Sequence, residues 1–314
     1  MQLPQILVAV CCLTELCSQI DACEPPQVIE VVRGNSVIRA PFDNSEIVIT
    51  TTDRLAGAVH SLTWNGMEFI NSTDHGRQLQ SACSFDHGLS TPFWAECFNP
   101  TEAGSRRDGA GSTSSSRLLS MDVGPSELKT KTQMAFWLVP GEKSSGRPAL
   151  NTSVLSDHIL EKQIRIGYQS LPNVIDYEVA FTVPASEPHR FAQFEALTGY
   201  MPPEFSKFWK FDTQSKQLEP LTDGPGEQAS PVVLSNEAGT HAMGVFSPAQ
   251  PSPGYSNAGY GRFRFPAEKV VKWNCVFRVR HETRVPPGEY RYQVFVAVGS
   301  LEQVRSALER LSSR

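Results

Sequence analysis

Apolar and polar residues alternate over Ile175–Val183, where Ile175, Tyr177, Val179, Phe181 and Val183 interleave with Asp176, Glu178, Ala180 and Thr182. A side-chain period of two is that of a strand with one face buried and the other wet. The same alternation recurs with Val271, Trp273, Cys275, Phe277 and Val279 set against Lys272, Asn274, Arg278 and Arg280, and again with Tyr290, Tyr292, Val294, Val296 and Val298. Weaker stretches predict strands over 28–33, 46–52, 57–63, 77–85, 117–122, 128–138, 163–168, 189–198, 240–246 and 260–265. Trp64-Asn65-Gly66 reads as a hairpin turn, and Pro-rich breaks fall at 201–203, 248–253 and 286–287. So many short strands predict an all-β chain, a large antiparallel β-sandwich. A helical period is convincing only at the end, where Ser300 caps a helix with Gln303 three residues on and Leu301, Val304, Leu308 and Leu311 share a face. This short C-terminal helix should pack on the outside of a sheet. Glu102–Ser116, rich in Gly, Ser and Arg, reads as a long surface loop.

Ile6–Leu13 is an apolar run of signal-peptide length, so residues 1–22 read as a signal peptide and 23–314 as a single β-sandwich domain. Ile20-Asp21-Ala22-Cys23 is a degenerate lipoprotein box, which leaves three fates open: plain secretion, a lipid anchor on Cys23, or an uncleaved N-terminal strand. Of these, export is expected: periplasmic, in the cell envelope or extracellular. The remaining cysteines, Cys83, Cys97 and Cys275, show no CxxC pair or Cys/His ligand spacing. Cys83 and Cys97 either close a short disulfide loop or are buried free thiols.

With 28 Lys+Arg against 33 Asp+Glu among 314 residues, the net charge is −5 and no basic stripe stands out, so nucleic acid is not the expected partner. No apolar run approaches the roughly 20 residues that span a bilayer, so no transmembrane span is expected. The sequence lacks a GxSxG elbow, a phosphate-binding GxxxxGK[ST] loop and a GxGxxG turn, and no cofactor is expected. Without HxH, HxxxH or an acidic calcium loop, no metal is expected either.

Three polar constellations remain. In the first, Asp74-His75-Gly76-Arg77-Gln78-Leu79-Gln80 leads into a strand, with His75 and Arg77 at its mouth and Gln78 and Gln80 on the sheet face opposite Leu79 and Cys83. In the second, Trp94, Glu96, Asn99, Glu102 and Arg106 interleave with Phe93 and Phe98; aromatic faces stack on pyranose rings, and carboxylates accept hydroxyl hydrogens or move protons. Glu96, between Trp94 and Phe98, should be desolvated. In the third, His189, Phe191, Gln193 and Glu195 share one face of a strand, His241 opens another, and Tyr200, Trp209, Tyr255 and Tyr260 lie in or beside connections where they could wall a cleft.

Leu55-Ala56-Gly57-Ala58-Val59-His60-Ser61-Leu62-Thr63-Trp64-Asn65-Gly66 resembles the opening hairpin of the galactose-mutarotase-like (aldose-epimerase-like) superfamily. Arg77 follows about where that superfamily carries a substrate-binding arginine. The run from Trp64 to Arg117, with Phe194–Pro203, is similar to uncharacterised exported bacterial proteins. The resemblance implies a β-supersandwich and a carbohydrate ligand; the epimerase pattern Gly-Arg-x-x-Asn-Arg is absent, so it does not imply mutarotation itself.

These features predict an exported protein that binds or acts on a sugar or oligosaccharide, by epimerase, lyase or hydrolase chemistry, with His75, Glu96 and His241 as catalytic candidates. Arg77, Gln78, Gln80, Trp94, Asn99, Glu102, Arg106, Gln193, Glu195, Tyr200 and Trp209 are the expected sugar contacts. The rival is a non-catalytic binding or structural module, secreted or lipid-anchored, that uses the same aromatics and amides without proton transfer.

Overall fold

The structure is a computed structural model that describes residues 32–87, 93–248 and 257–313. The leader, Cys23, Tyr255 and nearly all of the strand expected at 28–33 lie outside the described residues.

The alternating stretches form antiparallel strands. In chain order the longer ones are β1 (Ser36–Phe42), β2 (Ser45–Thr51), β3 (Val59–Trp64), β4 (Leu79–Phe85), β5 (Arg117–Val123), β6 (Glu127–Phe136), β7 (Leu155–Tyr168) and β8 (Leu171–Val183). They continue as β9 (Phe191–Met201), β10 (Lys207–Phe211), β11 (Leu218–Leu221), β12 (Val232–Ser235), β13 (Ala242–Phe246), β14 (Gly259–Phe265), β15 (Val270–Arg280) and β16 (Gly288–Gly299). At the turn expected after Trp64, Asn65 and Gly66 both take positive φ, 47° and 75°, the two-residue turn whose twist matches its flanking strands.

Pairing divides the strands into two sheets. One runs β5–β6–β7–β8–β16–β13–β12–β10–β11. The other runs β1–β2–β3–β4–β9–β15–β14 and ends on Gly226–Gln228. Pro100–Thr101 bridges them, pairing with Ala82 of β4 and with Phe136 and Ala135 of β6. The inward-facing residues pack between the sheets: Phe194 of β9 lies 5.2 Å from Phe181 of β8 and 5.6 Å from Tyr292 of β16, and Phe277 of β15 stacks on Tyr292 at 4.2 Å. The fold is thus the expected all-β antiparallel sandwich.

Helix α1 (Leu301–Ser312) covers the outer face of the first sheet, where Val304, Ala307, Leu308 and Leu311 pack on Val174, Val233, Phe295 and Ala297. Ser300 and Gln303 form the reciprocal capping box that the sequence predicts. Among the described residues no helix is long and apolar enough to cross a membrane. Cys83, Cys97 and Cys275 are buried free thiols, which resolves the Cys83–Cys97 alternative.

The loop at 102–116 departs from expectation. Glu102, Ala103 and Ser105 are buried, because Asp108 gathers the backbone N–H groups of Ser105 and Ser115 and the Ser115 hydroxyl, folding the segment on itself. His75 fixes this loop to the core: its ring nitrogens lie 2.7 Å from the Gly109 carbonyl and 2.8 Å from that of Arg54.

Candidate functional site

Among the described residues no helix covers the outer face of the second sheet, and its centre is polar. β9 contributes Gln193, Glu195, Thr198 and Tyr200, and β15 contributes Lys272, Asn274 and Arg278. Strict alternation would put Glu195 and Thr198 on opposite faces. A register shift between Glu195 and Leu197 inserts an extra inward residue, so Ala196 and Leu197 both enter the core and Thr198 returns to the Glu195 side. The Thr198 hydroxyl then donates to Glu195 at 2.7 Å.

Above this face lies a cleft of about 270 Å³, lined by Gly76, Gln80, Ala82, Ala95, Glu96, Asn99, Thr101, Trp137, Glu195, Thr198, Tyr200 and Lys272. Gly76 admits one wall, since a Cβ there would meet the Trp137 ring at 2.6 Å. The floor is an ion pair: Lys272 Nζ lies 3.3 Å from Glu195 and sits 5.0 Å above the Tyr200 ring and 5.4 Å from that of Phe263. Burial works against charge on both groups and is the largest single influence on each, but the surrounding contacts together outweigh it. Lys272, Thr198 and Asn274 hold the Glu195 carboxyl below its ordinary value, while Glu195 and Tyr200 raise the Lys272 ammonium above its own. The cleft floor therefore offers a carboxylate acceptor and an ammonium donor at neutral pH.

Gln80 adds a directed acceptor. Its amide nitrogen donates to the Gly76 carbonyl at 3.1 Å, whereas its Oε1 is buried without a partner. Asn99 donates to the Cys83 carbonyl at 2.7 Å and to Ser84 at 3.0 Å, leaving its oxygen uncommitted. Glu96 stands half-exposed on the wall, not sandwiched between the exposed Trp94 and the buried Phe98.

The sequence candidates divide accordingly. Gln80, Glu96, Asn99, Glu195 and Tyr200 line the cleft, and Gln193 lies on the same sheet face, where it accepts from Arg278 at 3.1 Å. The others stand outside it. His75 is the buried loop latch already described. His241 packs edge-on to Trp64 at 5.4 Å. Arg77 pairs with Asp74 at 3.2 Å, Gln78 is wholly buried against the Asp74 carbonyl, and Arg106 pairs with Glu142 at 3.5 Å. Trp94 lies under Arg147 and donates to Ser144, while Trp209 donates to Ser235 on the helix-covered sheet. Glu102 is fully buried and forms an ion pair with Lys162. His189 precedes β9 and is buried, so it does not join the Gln193–Glu195 face.

Lys272, Trp137, Thr101 and Thr198 are lining residues that the sequence reading did not select. Lys272 was legible as a polar position in an alternating strand; Trp137, just past the end of β6, gave no signal. A larger depression, about 520 Å³, lies beside the end of α1, but its described lining residues, including Tyr168, Phe246, Phe295 and Gln293, hold no carboxyl, ammonium or imidazole group.

No family model matches the chain, and no curated protein matches it. Among solved structures it is similar to the Slr1438 protein from Synechocystis sp. PCC 6803, at 9% identity over 84% of this chain and 96% of that one, with a TM-score of 0.45. It is similar to a galactose mutarotase-like protein from Lactobacillus casei ATCC 334, at 7% identity over 84% and 100%, with a TM-score of 0.41. An alpha-galactosidase from Lactobacillus brevis is similar at 10% identity over 90% of this chain but only 42% of its own length, with a TM-score of 0.43.

Proposed function

We propose that the cleft binds a neutral sugar or oligosaccharide and that the protein does this outside the cytoplasm, exported by residues 1–22 with or without a lipid anchor on Cys23. The observation that carries the reading is the cleft's composition. A paired carboxylate and ammonium, two side-chain amides with unused acceptor oxygens, and the Trp137 and Tyr200 rings meet in one cleft on an open sheet face. Hydroxyl-rich rings need this combination: alternating donors and acceptors at the edge and an aromatic surface for the apolar face.

Charge favours neutral over acidic sugars. The only ammonium among the described lining residues is already paired with Glu195, a second carboxyl stands at Glu96, and the arginines that would greet a uronate, Arg77 and Arg106, are engaged elsewhere. With neither His75 nor His241 in the lining, proton transfer in the cleft falls to Glu195, as the ionised base, and to Glu96. A binding module would leave both without a chemical task.

A thermal-shift screen against neutral sugars, uronic acids and oligosaccharides tests the reading. A ligand at about a hundred times its dissociation constant adds about 2.7 kcal/mol of stability. Stabilisation by a neutral sugar, weakened about tenfold or more in Glu195→Gln through loss of a charged hydrogen-bond acceptor, is expected. Selective stabilisation by uronates, or none across the panel, contradicts the assignment. Turnover lost in Glu96→Gln and Glu195→Gln, both folded, marks an enzyme; binding without turnover marks the module.

A further inference from the structure

Three side chains converge outside the cleft. His158 comes from β7, whereas Glu187 and His189 come from the connection between β8 and β9. One potential ligand atom from each lies within 4.8 Å of the other two. Glu187 Oε2 sits 2.6 Å from His189 Nε2 and 3.3 Å from His158 Nε2. Both imidazoles are 1% exposed and the carboxylate side chain 17%.

Hydrogen bonding orients one ring of the cluster and leaves the other without a partner. His189 Nδ1 lies against the Asp86 carbonyl, which can only accept, so Nδ1 carries the ring hydrogen. Its Nε2 faces a Glu187 carboxylate oxygen 2.6 Å away. His158 has no hydrogen bond at either ring nitrogen, though it is buried among Phe85, Phe98 and Phe136.

We propose that His158, Glu187 and His189 form a binding site for a divalent transition-metal ion of the zinc type, separate from the sugar cleft. Two imidazoles and a carboxylate are a zinc donor set, whereas calcium and magnesium take oxygen ligands. A tetrahedral zinc at about 2.0–2.1 Å from each ligand sets them about 3.3 Å apart, a spacing that side-chain adjustment reaches from the one observed. The Asp86 carbonyl on the far nitrogen of His189 is the outer-shell contact that orients a metal-bound histidine. Glu187 also lines a groove of about 250 Å³ with His87, Asn151 and Asp157, which gives the ion and a fourth, water ligand a route from solvent. Since the connection carrying Glu187 and His189 crosses from the sheet of β7 into that of β9, the ion ties β7 to the crossing between the two layers.

The test is metal content. The protein is dialysed against zinc, freed of excess on a chelating resin and assayed by mass spectrometry, alongside melts in zinc and in EDTA. One retained zinc per chain is expected, with a melting temperature that climbs with zinc concentration and drops in EDTA. Glu187→Gln, at a partly exposed position and so expected to fold, and His158→Gln should each weaken zinc binding by more than about tenfold, the least that even outer-shell losses cause. Folding of each variant is checked by circular dichroism, and Glu187→Gln alone suffices if His158→Gln unfolds. Folded wild type that retains no zinc, or a folded Glu187→Gln that binds it as tightly as wild type, overturns the site and leaves the Glu187–His189 contact as a shared proton.

Discussion

Lys162 and Glu102 have fully buried side chains and form an ion pair, with the Ser81 N–H as the carboxylate's second partner at 3.0 Å. Two charges withdrawn from water offset each other only while both are present. Lys162→Met should therefore cost about 3–5 kcal/mol in urea unfolding, and adding Glu102→Gln should recover much of that loss. A double variant as unstable as the single one would show that side-chain volume, not the unpaired charge, sets the cost. Glu195 makes a second, pH-dependent case. Its carboxyl is held below the ordinary value, so its contribution is present above the unfolded-chain pKa of about 4.3 and is lost as pH falls through the lower folded value. Between about pH 5 and pH 3, wild type should lose more stability than Glu195→Gln, and parallel curves would remove the Lys272 pair as a stabilising contact. These two carboxylates show where sequence reading stops at this scale. Glu195 was found because alternation put it on a polar sheet face, and that logic needs only neighbours in sequence. Glu102 looked equally promising among aromatics and an arginine, but its role depends on Lys162, which is remote in the chain.

Strands were legible where one face is wet and blurred where neither is. In β8, β15 and β16 polar residues hold the outward positions and several stay accessible, among them Glu178, Thr182, Lys272, Arg278 and Arg291, so the period of two survives in the sequence. In β12 every residue is buried, Leu234 in the intersheet core and Val233 under α1, so Val-Val-Leu carries no alternation and went unpredicted. In β1 the inward Ile38 and Phe42 are separated by Ala40 and Pro41, too faint a pattern to read. The bulge in β9 is invisible by construction, since an inserted residue shifts the phase without changing the composition, and it is what builds the Glu195–Thr198 contact. The C-terminal helix was fully readable because its signals are local: a cap, a return contact three residues on and an apolar stripe. The Ser300 hydroxyl accepts the Gln303 N–H at 3.2 Å, so Ser300→Ala should cost about 1 kcal/mol in chemical denaturation. An effect below a few tenths would mean that packing of Leu308 and its neighbours fixes the helix without its cap.

The two sheets share one core, and this decides how the molecule should unfold. Phe194 stands at the crossing point: it belongs to the sheet that carries the cleft, yet it packs on Phe181, Tyr290 and Tyr292 of the opposite sheet and on Phe85 of its own. It is completely buried, so Phe194→Ala removes contacts that neither sheet can replace alone, at about 3–5 kcal/mol. Because the lost contacts are shared, the whole transition should move together: far-ultraviolet circular dichroism and tryptophan fluorescence should give one coincident midpoint in wild type and one lower, coincident midpoint in the variant. If the sheets were energetically separate, the variant would split into two transitions, with tryptophans of the cleft-bearing sheet, Trp64 and Trp273, reporting first and the backbone signal of the helix-covered sheet persisting. A single shifted transition ties the cleft's geometry to the stability of the entire sandwich, since the strands that present Glu195 and Lys272 outward are the same strands that present Phe194 and Phe277 inward.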